Sequence, residues 1–101
     1  MSSVFLNRLV NRTTRVTTTA TLDVNDEIVY ANTDGGAYTI TLPVGVEGTH
    51  YKIINTGISG YDLAIAPDGM EQIWKNGAGI SVVLSDGDIL NLHYNAMEGW
   101  W

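Results

Sequence analysis

The sequence predicts a small all-β protein: a single antiparallel β-sandwich or barrel, jelly-roll-like, preceded by an extended N-terminal arm. Three observations carry this expectation. Eight or nine short runs alternate apolar and polar residues, with turn residues about every 8–12 positions. No stretch sustains the 3.6-residue period of an amphipathic helix. Glycine occurs 11 times, at positions between those runs where tight turns need it. The expected division is a docking arm over residues 1–16 and a β-domain over residues 17–101.

Taken in order, Met1 to Asn11 places Val4, Phe5, Leu9 and Val10 at roughly helical spacing, but so short a helix is marginal alone. The segment is either a frayed terminus or a docking arm on a partner surface, where Val4, Phe5, Leu6 and Leu9 would be buried and Arg8, Arg12 and Arg15 would meet acidic groups. Thr13 to Leu22 is rich in threonine, a good strand former, with few large apolar anchors. Burial fixes its register weakly, which suits an edge strand or pairing with another subunit.

After Asp23 the strands come quickly. Ile28, Val29 and Tyr30 precede Asp34-Gly35-Gly36, read as a hairpin turn, and then Tyr38, Ile40 and Leu42 alternate with Thr39 and Thr41. Pro43 has no N–H to give to a ladder, so the strand ends there or sits at an edge. Tyr51, Ile53 and Ile54 form the next run. Leu63 and Ile65 follow Tyr61, Ile73 and Trp74 form a short piece, and Asn76-Gly77 carries a strong hairpin signal. Ile80, Val82 and Leu84, then Leu90, Leu92 and Tyr94, complete the alternating runs before Trp100 and Trp101. No internal repeat of 20–50 residues marks a solenoid.

Charge divides the chain. The protein has 11 acidic and 5 basic residues, a net −6 at pH 7, which argues against general affinity for nucleic acid or anionic membranes. Arg8, Arg12 and Arg15 give the first fifteen residues +3, leaving only Lys52 and Lys75 among all the acids of the remainder. The arm is thus a chemically separate object. There is no cysteine, so neither a disulfide framework nor a thiolate metal site exists. No run has the uninterrupted apolar core of a signal peptide or the length of a membrane span, and the expectation is a protein made in a cytoplasm.

The motifs point away from catalysis. The Asp-Gly pairs at Asp34, Asp68 and Asp86 suggest calcium at first sight, but no Glu completes an EF-hand loop, and Asp-Gly is ordinary turn chemistry. His50 and His93 lack the H-x-H or H-E-x-x-H spacing that converges ligands on zinc. Gly57-Ile58-Ser59-Gly60 is one residue short of a nucleophile elbow. Chance carboxylate pairs are expected among 11 acids, yet nothing selects one for glycoside hydrolysis. The expectation is a non-enzyme without cofactor or metal. The adjacent Trp100 and Trp101 would point to opposite faces of a strand, so one of them is a candidate subunit contact.

The succession Asp-Gly-Gly-Ala-Tyr-Thr-Ile-Thr-Leu-Pro, Tyr-Lys-Ile-Ile-Asn, Leu-Ala-Ile-Ala-Pro and Asp-Gly-Asp-Ile-Leu-Asn-Leu before Gly-Trp-Trp resembles small β-rich modules of tailed-bacteriophage virions over residues 17–101. Such modules occur in head-decoration or cement proteins, head fibres and tail fibres, usually as trimers. The resemblance implies a virion structural protein, and 101 residues leave no room for the long shaft of a receptor-binding fibre. The leading expectation is a homotrimeric capsid decoration or cement protein whose arm docks on the major capsid protein or another virion protein. The alternatives are a tail-fibre or baseplate module and a carbohydrate-binding β-domain using exposed Trp and Tyr.

Overall fold

A computed structural model describes residues 12–74 and 76–101. Among these residues there are nine strands and no helix: β1 (Thr13–Val16), β2 (Ala20–Thr21), β3 (Ile28–Ala31), β4 (Tyr38–Thr41), β5 (His50–Asn55), β6 (Leu63–Ala66), β7 (Val82–Leu84), β8 (Ile89–Asn95) and β9 (Gly99–Trp100). They form two mixed sheets, a first with order β1-β3-β5-β8-β9 and a second with order β2-β4-β6-β7.

The first six strands enter the two sheets alternately, and each of β3 to β6 pairs in parallel with the strand two before it. Thr13 lies beside Ile28 and Ile28 beside Lys52, while Ala20 lies beside Ile40 and Ile40 beside Ile65. The chain therefore winds, adding one strand to each sheet per turn. Only β7, β8 and β9 pair antiparallel with their neighbours. This corrects the antiparallel, jelly-roll-like expectation. Period-two alternation says which face a strand buries but carries no information about strand direction. The Asp34-Gly35-Gly36 stretch likewise makes a corner between sheets rather than a hairpin, with Gly36 at φ +136°. Successive windings step by 15 and 24 residues in the first sheet and by 20 and 25 in the second, so no fixed period exists in the sequence.

Thr13–Leu22 is not one strand. A bend at Thr17 and Thr18 splits it into β1 and β2, each the margin of its own sheet. Residues 13–16, expected in the arm, thus belong to the β body, and the rest of the expected arm, residues 1–11, lies outside the described residues.

The alternating residues meet between the sheets. Val29, Ile53, Leu90 and Leu92 from the first sheet and Ile40, Leu63, Ile65 and Leu84 from the second are buried together with Leu42, Tyr51, Ile73 and Trp100. Inside this apolar layer lies one polar hub. Asn55 is fully buried; its Oδ1 accepts hydrogen bonds from Thr33 Oγ1 at 3.0 Å and the Gly57 N–H at 2.9 Å, and its Nδ2 donates to the Leu84 carbonyl at 3.1 Å. The hub ties the end of β5 to the segments after β3 and β5 and to the end of β7. Gly57 has to be glycine there, because a Cβ would sit 2.3 Å from Thr33 Oγ1.

The margin of the stack next to β8 and β9 is closed by aromatic packing. Trp100 is buried against Tyr51 (ring centroids 5.6 Å) and edge-on to Tyr94 (5.1 Å). Its indole N–H donates to Glu71 at 3.2 Å, and the same carboxylate accepts the Gly45 N–H at 3.0 Å. The Trp100 N–H in turn donates to the Gln72 carbonyl at 2.8 Å, so residues 72–74 are laid along β9.

Candidate interaction surface

The outward residues of the first sheet form rows across the strands. One row runs Arg15, Tyr30, Ile54 and Ile89, and the next runs Thr13, Ile28, Lys52 and Asn91. Their inward neighbours Val29, Ile53 and Leu90 are in the core, so the pleat turns these side chains out. The result is an apolar ribbon of Ile28, Tyr30, Ile54 and Ile89 on an outer face, flanked by cations. Ile89 is 54% exposed, and the Arg15 guanidinium carbon stands 5.1 Å from the centre of the Tyr30 ring. Arg15 and Lys52 are two of the three described Arg and Lys residues, and both lie on this face.

A third row carries the histidines. His50 on β5 lies opposite His93 on β8, with rings stacked at 5.4 Å and His50 Nε2 3.7 Å from the Glu27 carboxylate. Both are exposed. Among the described residues no group of three or more His, Cys, Asp or Glu side chains is placed to hold a metal ion. The glycine-rich segment at 57–60 is a turn held by carboxylates: Asp34 accepts the Ile58 N–H at 2.8 Å and Asp86 accepts the Gly60 N–H at 2.8 Å. The Ile58 bond, followed by the Ser59 hydroxyl, holds the Asp34 carboxyl below its ordinary value of 3.8. Burial, with smaller contributions from the Asp26 and Asp23 carboxylates, raises the Tyr51 phenol, whose hydroxyl donates to the Asp23 carbonyl at 2.8 Å. These perturbed groups hold loops.

The margin formed by β1 differs from the rest. In a parallel pair, alternate residues of a strand direct their N–H and C=O to the neighbour. The Arg12 carbonyl accepts from the Ile28 N–H at 2.8 Å and the Val16 carbonyl from the Asn32 N–H at 3.0 Å. Thr13 and Arg15 therefore direct their backbone groups away from β3, and among the described residues no strand pairs with that side. Beside it, Arg15, Val16, Thr17, Tyr30, Asn32 and Thr56 line a groove of about 380 Å³.

The residues expected to dock or to contact a subunit are distributed as follows. Val4, Phe5, Leu6, Arg8 and Leu9 lie outside the described residues. Arg12 is exposed at the start of β1, and Arg15 is exposed within it. Trp100 is fully buried in its own chain, so it is core and not a subunit contact. Trp101 is 43% exposed, and its backbone pairs with His93 through two 2.7 Å hydrogen bonds. Sequence reasoning missed Tyr30, Ile54 and Ile89 as surface residues. A signal was present in the Ile53-Ile54 doublet, since adjacent strand residues point to opposite faces. No protein-family model matches the chain, and a search of curated proteins finds no match.

Proposed function

We propose that the protein is a non-enzymatic structural component of a tailed-phage virion, a capsid decoration or cement protein that docks through residues 1–16 and the adjoining outer face of the first sheet. The observation that carries this reading is the unlike character of that region. An acidic protein places Arg15 and Lys52 beside an apolar ribbon, with Arg12 exposed at the start of β1, where the basic N-terminal segment joins the body. Such a face fits a protein surface that carries carboxylates around apolar residues. The phage assignment rests on the likeness of strand chemistry. A ligand that binds only the assembled shell stabilises it by mass action.

The test uses phage heads prepared with and without the full-length protein. A cement protein co-sediments with them and raises the temperature at which the shells open. Phe5→Asp combined with Arg12→Glu abolishes both effects, whereas Trp101→Ala leaves binding to the shell in place. Retention of shell binding by the Phe5/Arg12 double variant would refute the docking assignment.

A carbohydrate reading retains one observation. Trp74 is 45% exposed at a positive φ of 55°, a strained conformation for a bulky residue, and its N–H donates to the carbonyl of Trp100, next to exposed Trp101. Glycan binding that disappears in Trp74→Ala would favour this reading over the capsid one.

A further inference from the structure

We infer that the free side of β1 is a strand-addition site, which takes one extended segment of a partner protein in which apolar and acidic side chains alternate. This rests on the docking reading above and specifies its mode. The backbone supplies the first half of the argument. Thr13 and Arg15 each present an N–H and a C=O away from β3, so a strand laid alongside gains up to four hydrogen bonds. The winding sets the second half. Each turn of the chain has already added one parallel strand to this sheet, and the rows Thr14-Val29-Ile53-Leu90 and Val16-Ala31-Asn55 run across it. An added strand continues those rows. Its inward side chains meet half-buried Val16, which packs on the core and favours an apolar side chain, and Thr14, whose hydroxyl donates to Asp26 at 2.6 Å.

Its outward side chains lie beside Arg15, which is held over the Tyr30 ring, while Arg12 is exposed just before β1. Neither arginine is ion-paired among the described residues, and carboxylates on the incoming strand supply the missing charge. Charge also selects the source. Two β1 strands paired about a two-fold axis would gather Arg12 and Arg15 of both copies at one seam, so a strand of a different protein is the occupant, not a second copy of this one. The groove beside Arg15, Thr17, Tyr30 and Asn32 accommodates side chains at the end of the added strand.

Proline at position 13 separates strand addition from simple charge attraction. The Thr13 N–H points to the free side, so Thr13→Pro removes a donor for the partner without removing a bond to β3. The probe is a capped hexapeptide, Val-Glu-Val-Glu-Val-Glu, titrated into the 15N-labelled full-length chain. Amide shifts confined to β1, β3 and the groove residues are expected, with no response to the peptide in which Lys replaces Glu. Thr13→Pro weakens binding at least about tenfold while Thr13→Ser does not, and Arg15→Gln weakens it in a salt-dependent way. Unchanged affinity in Thr13→Pro, with its other amide resonances unmoved, overturns the proposal. So does binding that appears only after Phe5 and Leu9 are changed to Asp, because the chain's own N-terminal segment would then be the occupant. Failure of the two readings is distinguishable. Shell binding that survives Thr13→Pro leaves docking intact and removes strand addition, whereas peptide pairing without shell binding leaves the edge chemistry and removes the capsid assignment.

Discussion

The two margins of the winding are built in opposite ways. At the β8–β9 margin the chain turns antiparallel, lays residues 72–74 along β9, and fills the space with Trp100, Tyr51 and Tyr94. At the β1–β2 margin two short strands of four and two residues have half-buried or exposed side chains, and only Leu22 just after them is fully buried. A stack of strands needs its ends covered, because an unpaired edge leaves backbone groups available to other chains. One margin of this protein is finished by its own aromatic residues. Among the described residues the other carries threonine and arginine, which keep an edge soluble.

The largest expected effect tests the finished margin. Trp100→Ala costs about 3–5 kcal/mol of unfolding free energy in urea titrations, since it empties the space between two rings and strips the Glu71 carboxylate of a partner. The corresponding change at the open margin, Val16→Ala, costs less than about 1.5 kcal/mol because Val16 is only half buried. Equal losses would remove the distinction between the margins. Next comes Asn55→Ala, which leaves the Leu84 carbonyl and the Gly57 N–H without their partner and costs about 3 kcal/mol. Because the hub joins loops of both sheets, hydrogen exchange should speed up at Thr33, Gly57 and Leu84 together.

A smaller effect is expected from Arg15→Ala, which loses the contact with the Tyr30 ring, about 0.5–1 kcal/mol. The measurement is the urea midpoint, and it should not move the spectrum of Trp100. The smallest is electrostatic. The Asp34 carboxyl, held below 3.8 by the Ile58 N–H, favours the folded state above that value, and its contribution fades as the pH falls through its lower folded value. Carbon-detected titration of the carboxyl should show a midpoint below 3.8, and the amide of Ile58 should shift in parallel. A normal midpoint would mean that this tie between the loops after β3 and β5 does not form in solution.

Much of the local structure was legible in the residues. Ile40 and Leu42 are buried as their alternation with Thr39 and Thr41 required, and β4 ends before Pro43. The threonine-rich start was readable as edge material, and both β1 and β2 are sheet margins. Of Trp100 and Trp101, one is core and the other partly exposed, as adjacent strand residues must be. Less was legible at the candidate surface. Arg15 stood out by charge, but its position over Tyr30 depends on a pairing across 15 residues. Thr33 and Asn55 carried no signal, because their partnership exists only once the ends of β5 and β7 meet the loop after β3.

The division has a physical reason. Composition and period-two patterning act within a few residues, so the sequence by itself determined an all-β chain, the inward side of most strands, the turn positions and the separation of a basic start from an acidic body. Strand direction, the alternation between two sheets, the unequal windings and the contrast between a closed and an open margin come from pairings between residues far apart in the chain. Backbone hydrogen bonds are the same for every residue type, and a side-chain pattern cannot encode which strand lies beside which. The tertiary structure alone decided which side of β1 pairs with β3, and so turned the backbone groups of Thr13 and Arg15 away from it.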